Sequence, residues 1–329
     1  MEWAKPKFPE KWLAWHYRSQ YEELINFSNY AFYDKRVQIA PTVSTDKKSK
    51  PIEFIPVNGH WLNRSNRLEA EQIVETVPIP YRRSQKSKNG EENVGLFVKN
   101  IENVQGDERD IILFSVGYAK DIDGKMVSQF GPLSRDSGEN RLNVAITRAK
   151  RKVYIVCSFE PSGWSRVETY AKGVRLLKRY LEYGKAISDN DRLLAQSILN
   201  GLVDGTNVQE MHNQLIFDSG FEEEVYNALR NRGYDVHTQI GFSGYRIDLG
   251  ILDPITKEKY ILGIECDGAM YHSSKVARER DIYRQRFLEE KGWVIHRIWS
   301  RNWWISKEKE MAKIESVLEQ LMSTKIQRV

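Results

Sequence analysis

Two short runs, Arg246–Leu252 (RIDLGIL) and Tyr260–Cys266 (YILGIEC), alternate apolar and other residues around the turn Asp253–Lys259. A period of two belongs to β-strands, whose successive side chains point to opposite faces, and the turn is short enough for a hairpin. The alternation puts Ile247, Leu249 and Ile251 on one face of the first strand, and Tyr260, Leu262, Ile264 and Cys266 on one face of the second. Asp248, Glu265 and Asp267 then take the polar side, where strand pairing brings the three carboxylates together. Clustered carboxylates raise their own pKa values unless positive charge lies between them. A Mg²⁺ ion meets that need, since it takes oxygen ligands and keeps several waters. Bound there, it can polarise a phosphoryl group and ready a water for attack. Solvated strand acids paired with arginines fit the same spacing.

A chain of 329 residues is long enough for two domains with separate cores. Its 40% hydrophobic and 29% charged residues exclude a disordered polymer. No run of roughly 18 apolar residues occurs, which argues against a membrane span, and the opening MEWAKPKFPEKW lacks a secretory apolar core. The only two cysteines, Cys157 and Cys266, lie in apolar strand-like runs. A disulfide framework or cysteine zinc site is therefore not expected, and a reducing cytoplasmic location is. The net charge of +5 is unevenly spread: Arg148–Lys185 holds ten basic residues against Glu160, Glu168 and Glu182. Such a stripe suits a phosphate backbone, although a solvated helix face has the same composition.

The expected order begins with helices over Ser19–Tyr33 and Ser65–Thr76 and a polar loop over Tyr81–Asn93. Strands follow over Asp110–Ala119 and Lys152–Ser158, with a helix at Arg141–Lys150 between them, a parallel α/β arrangement. A basic helix, Val167–Ala186, reads as a linker. The remaining chain reads helix Phe221–Asn231, strands Asp235–Ile240, Arg246–Leu252 and Tyr260–Cys266, helix Ser274–Lys291, strand Trp293–Trp299 and helix Ser306–Met322. The division expected is 1–165, 166–205 and 206–329.

From Phe221 to about Trp304 the chain carries FE…V…L…G on a helix, RID on a strand, IECDG…YH, and ARERDIYRQRFLEEKGW on a helix. This ordered set resembles the PD-(D/E)xK nucleases, in the branch similar to very-short-patch repair endonucleases. The resemblance implies a restriction-endonuclease-like α/β fold with a central mixed sheet. It also implies a catalytic set of Glu222, Asp248, Glu265, Asp267 and His272, with Asp248, Glu265 and Asp267 holding Mg²⁺ or Mn²⁺. Glu223 and Glu224 lie beside Glu222 and can be confused with it. The superfamily's usual lysine position is held by Asp267, so the water-orienting role falls elsewhere, and His272 is a candidate base or phosphate contact. Gln239 on the preceding strand is within reach of the site. Arg278, Arg280, Asp281 and Arg284 follow on one helix, as phosphate contacts or as supports for the carboxylates. An exposed ring among Trp293, Trp299, Trp303 and Trp304 would stack on a base.

Earlier in the chain, WHYRSQYEELINFSNYAFY, NVQGDERDIILFSVGY and RLNVAITRAK resemble motifs IV, V and VI of superfamily 1 helicases. They imply a second RecA-like lobe with a parallel sheet. By that resemblance Arg18 and Arg148 approach the γ-phosphate of ATP, and Gln105, Gly106 and Glu108 form the nucleotide-facing turn. Arg141 and Thr147 are further candidates. The sequence contains no G-x-x-x-x-G-K-[ST] phosphate loop, so ATP is expected to bind only together with a first RecA-like lobe. The expected whole is a metal-dependent DNA nuclease on the C-terminal part of a longer helicase, acting on single strands or duplex ends. The alternatives are a catalytically silent nucleic-acid-binding module and a motor subunit that takes its ATP-binding lobe from another chain.

Overall fold

The computed structural model describes residues 15–45, 50–76, 98–126, 129–164, 167, 170–204, 217–242, 246–268 and 275–326. At 204, 275–281 and 324–326 only the backbone is described. The loop expected over Tyr81–Asn93 lies outside these residues. Among those described, no helix is long and apolar enough to cross a membrane.

Contacts divide the chain into two units, which the expected boundaries cut differently. Described residues 18–34, 50–76, 98–126, 129–164, 167 and 170–204 make one unit. Its elements are α1 (Glu23–Phe32), β1 (Ile52–Pro56), α2 (Arg67–Thr76), β2 (Arg109–Ser115), α3 (Gly138–Ile146), β3 (Ala149–Cys157), α4 (Lys172–Ser188) and α5 (Arg192–Asp204). The three strands run parallel in the order β1-β3-β2, with Ile112 and Ile52 both paired with Val153. Parallel neighbours need a crossover, and α3 supplies it between β2 and β3. That helix stops four residues before the expected end, because Ala149 and Lys150 already belong to β3.

The basic segment expected to link domains is instead part of this unit's core. Along α4, Val174, Leu177, Tyr180, Leu181 and Tyr183 are buried, and the Tyr183 hydroxyl donates to the Glu23 carbonyl of α1 (3.0 Å). Gly184 lets the helix approach the sheet, since a Cβ there would lie 2.5 Å from Ile155 Cδ1. An apolar face at helical spacing buries wherever a complementary surface exists, and β1, absent from the expected order, provides part of that surface.

Described residues 15–17, 35–45, 217–242, 246–268 and 275–326 make the other unit. It contains α6 (Gly220–Asn231), β4 (Val236–Ile240), β5 (Ile247–Leu252), β6 (Tyr260–Asp267), α7 (Lys275–Glu290), β7 (Ile295–Trp299), α8 (Ser300–Ile305) and α9 (Lys307–Ile326). The sheet is mixed, in the order β4-β5-β6-β7: the first three strands form an antiparallel meander and β7 joins β6 in parallel. Residues 40–45 pack here, with Trp293 Nε1 donating to the Pro41 carbonyl and Tyr260 N to that of Val43. The expected 1–165 domain is thus crossed by a segment whose apolar residues Ala40 and Val43 fit beside Tyr260 and Trp293.

Two apolar clusters enclose this sheet. Val225 and Leu229 of α6 and Met311, Ile314 and Leu318 of α9 pack with Leu249, Ile251, Leu262 and Ile264. Leu288 of α7 and Trp293 pack with Ile240, Ile247 and Tyr260. The strict alternation expected of the hairpin is therefore broken twice. Tyr260 leaves the face of Leu262 and Ile264 at a register shift beside Leu252. Ile247 leaves the face of Leu249 and Ile251 across Asp248, where the facing residue Gln239 has a left-handed backbone (φ 49°). Such a residue interrupts the pleat, and the candidate site sits at that interruption.

Candidate active site

Strand register lays four polar residues across the sheet. The pairs Thr238↔Leu249 and Ile240↔Ile247 leave Gln239 across from Asp248. Leu249↔Ile264 continues to Asp248 and Glu265, and Glu265 pairs with Arg297 of β7. Asp248 is fixed by its neighbour, since Cys266 N donates to its Oδ2 at 2.7 Å.

Glu222 joins from α6 as a helix cap. Ser219, the N-cap, accepts from Glu222 N, and Ser219 Oγ donates back to Glu222 Oε1 (3.2 Å). Ser219 thus caps the helix, and the Glu222 carboxylate sits at its positive end. Glu222 Oε2 accepts from Asp218 N (3.0 Å) and from Gln239 Nε2 (2.9 Å). Glu222 is buried while Glu223 is exposed and Glu224 pairs with Lys307 (3.6 Å), which separates the three adjacent acids. The other end of the Gln239 amide, Oε1, is buried and accepts no hydrogen bond among the described residues.

Arginines, not a third carboxylate, balance Glu265. Arg284 of α7 reaches Glu265 Oε1 at 3.1 Å and Arg297 reaches Oε2 at 3.0 Å. Arg297 also reaches Asp267 Oδ2 at 3.2 Å. Among the described residues no three His, Cys, Asp or Glu side chains could share one metal ion. Within the expected trio of Asp248, Glu265 and Asp267, Arg297 bridges Glu265 and Asp267.

What remains is a charge deficit at Asp248. Burial raises its pKa to about 7; nearby Glu222 and Glu265 add to the rise, while the Cys266 amide and Arg284 oppose it. Two facing carboxylates, Asp248 and Glu265, with the unpartnered Gln239 oxygen, match a hard cation that binds through one or two carboxylates and keeps its waters. On these grounds the residues present fit a hard divalent cation. Arg297 was not anticipated, since its place beside Glu265 comes from the pairing of β7 with β6. Arg284 supports the carboxylates, as one of its two expected roles. His272 and the side chains of Arg278, Arg280 and Asp281 lie outside the described residues. Trp293 and Trp303 are core, whereas Trp304 is exposed.

In the other unit, Arg18, Glu108, Thr147 and Arg148 meet where β2 and β3 begin. Arg18 Nε donates to Glu108 Oε2 (2.7 Å), and Lys150 reaches Glu108 Oε1 (2.6 Å). Arg148 donates to the Val144 carbonyl (2.7 Å) and to Thr147 Oγ1 (3.1 Å). Burial and then the adjacent Arg18 charge lower its pKa, so two guanidiniums crowd one spot. Gln105 and Gly106 (φ 88°) form an exposed turn leading into β2. Arg141 stands apart, 3.6 Å from Glu102.

Comparison with known proteins matches both regions. Residues 221–318 match the REase_MTES_1575 family model, and residues 76–160 match the AAA_12 model, an AAA domain. The chain joins a helicase-type AAA segment to a restriction-endonuclease-like one. Similar proteins include "Uncharacterized ATP-dependent helicase MG140 homolog" of Mycoplasma pneumoniae, 29% identical over 93% of this chain. Another is "Uncharacterized ATP-dependent helicase MG140" of Mycoplasma genitalium, 28% identical over 93% of this chain. The chain spans 29% of the length of each of these curated relatives. Its two segments are of enzyme type and point to nucleic acid.

Proposed function

We propose that the C-terminal unit is a metal-dependent nuclease that hydrolyses DNA phosphodiesters. Asp248 and Glu265, with the Gln239 oxygen beside them, would hold Mg²⁺ or Mn²⁺. Such an ion supplies a polarised phosphoryl oxygen and an activated water. The chain's own contribution is positioning. The Cys266 amide fixes Asp248, Arg284 and Arg297 fix Glu265, and the α6 cap fixes Gln239 through Glu222. The observation that carries this reading is the strand register, which sets Asp248 between Glu265 and Gln239, whose buried Oε1 accepts no hydrogen bond among the described residues. His272 stays the candidate general base, and the absent superfamily lysine leaves Arg297 as the fixed positive charge beside the carboxylates.

The AAA segment, on this reading, presents Arg18 and Arg148 to the γ-phosphate of ATP bound by a first RecA-like lobe, with Gln105, Gly106 and Glu108 lining the nucleotide. Arginines placed there stabilise charge on a transferred phosphoryl group. A second reading, a silent nucleic-acid-binding module, draws on Glu265 and Asp267 being already neutralised by arginines. Plasmid nicking and degradation of single-stranded DNA by the 329-residue chain, with Mn²⁺ against EDTA, decide between the two. Cutting that needs metal and disappears in Asp248→Ala supports the nuclease. DNA binding without cutting under any divalent cation supports the silent module.

A further inference from the structure

Trp293 and Trp303 are core residues, but Trp299 is 40% exposed, and strand pairing fixes where it stands. β7 is an edge strand of its sheet, with Arg297 opposite Glu265 and Trp299 opposite Asp267. The backbone is still extended at Trp299 (φ −88°, ψ 129°), so a period of two keeps its side chain on the side of Arg297. Ile298, between them, lies buried in the opposite cluster with α6 and α9. Trp299 is therefore one strand and two residues from Glu265, about 8 Å between Cα atoms. One nucleotide covers such a distance between its phosphate and its base.

Folding gives a tryptophan little reason to occupy this position. Trp299 is also the N-cap residue of α8, and it makes no side-chain cap bond. That slot favours a side-chain oxygen that accepts from the first helical amides, whereas an indole N–H only donates. Its exposure sets it apart from the core as well. Beside it the sheet ends in open space: a Cβ added at Gly268, the residue after Asp267, would meet no heavy atom within 4 Å among the described residues. A lone exposed apolar side chain is ordinary. A large flat ring with room beside it, next to clustered carboxylates and an arginine, is the arrangement that base stacking needs.

We propose that Trp299 is a specificity-determining residue of the nuclease site, its ring stacking on an unpaired nucleobase of the strand whose phosphodiester lies at Asp248 and Glu265. Inside a duplex each base is already stacked on its neighbours, and drawing one out is costly. A base in a single strand, a gap or a frayed end can take the ring without that cost. The favoured substrate is therefore DNA with an unpaired nucleotide beside the cut. The cut rests on the nuclease reading above, and the stacking does not.

The test compares two labelled strands by fluorescence anisotropy with the full chain in EDTA: a short oligodeoxyadenylate and the same strand with its bases removed. Trp299→Ala is expected to weaken binding of the base-bearing strand about tenfold, the loss of one stacked base, and to leave the abasic strand unchanged. Trp299→Phe should keep most of the affinity, and Trp304→Ala, an exposed ring outside the strand register, should behave as wild type. Circular dichroism on each variant confirms the fold. Equal affinity of wild type and folded Trp299→Ala for the base-bearing strand would overturn the proposal. So would an equal loss on both strands, which is what a merely structural ring would give. With Mn²⁺, wild type should cut the unpaired strand faster than a blunt duplex of the same sequence, and Trp299→Ala should narrow that ratio through KM. If the base-dependent difference persists in EDTA but no strand is ever cut, the nuclease reading fails and the stacking stands. If cutting occurs and Trp299→Ala leaves the strand preference intact, the stacking fails and the nuclease reading stands.

Discussion

The two units handle charge in opposite ways. In the AAA-containing unit, cations gather among the described residues: Arg18 and Lys150 share Glu108, and Arg148 crowds the same spot. In the endonuclease-like unit, carboxylates are in excess at one point, Asp248, although Arg284 and Arg297 neutralise Glu265 beside it. One spot gathers cations around a single carboxylate, and the other gathers carboxylates around Asp248. Since a buried unbalanced charge costs free energy in either sign, each imbalance marks a place where a ligand of the opposite charge is favoured.

That contrast breaks most visibly at the carboxylates. Asp248→Ala or Glu265→Ala should lower metal-dependent cutting by about 10³-fold or more, the several kcal/mol a bound cation contributes, with DNA affinity kept. Normal cutting by either variant removes the site.

Arg297→Gln sharpens the same contrast from the other side. It leaves Glu265 and Asp267 without their shared guanidinium, with side chains only 7% and 14% exposed. A loss of about 3–5 kcal/mol in stability is expected on denaturant unfolding. Mn²⁺ should recover more of that stability than it adds to wild type. A loss under about 1 kcal/mol would mean that the pair is solvated and contributes little.

The pH dependence of Asp248 follows from the sign of its shift. A carboxyl whose folded pKa is raised contributes its full stability below the ordinary carboxylate range, and that stability falls away as pH rises towards about 7. In EDTA, Asp248→Asn should therefore stabilise the fold at pH 8, by at most about 4 kcal/mol for a shift of this size, with no gain near pH 4. Thermal melts at both pH values check it, and a variant less stable at pH 8 contradicts it. The smallest effect expected is at the α6 cap: Ser219→Ala should cost about 1 kcal/mol and loosen Gln239 through Glu222.

Much of the endonuclease-like unit was legible in the chain because its elements are local and periodic. The strands β4 to β7, their hairpin and the adjacency of Asp248 and Glu265 follow from period two and one short turn. What the string did not reveal depends on contacts distant in sequence. Residues 40–45 join that unit through Trp293 and Tyr260, more than 200 positions away. β1 is only five residues ending in Pro56, too short to stand out. The basic residues of α4 drew attention to its surface, although its apolar stripe places it in the core. Glu222 reads as a site acid in sequence, and the structure bonds its carboxylate both to Ser219 at the start of α6 and to Gln239. Arg297 went unnoticed because no single residue in IHRIW carries a signal until β7 is paired with β6.

The central claim, cation capture by Asp248 and Glu265, is met most directly by Mn²⁺ titration of the chain at pH 8, with the free ion followed by electron paramagnetic resonance. Saturable loss of the free-ion signal in wild type, abolished in folded Asp248→Ala and Glu265→Ala, is the result expected. Equal Mn²⁺ uptake by wild type and both variants, or none by wild type, would contradict it.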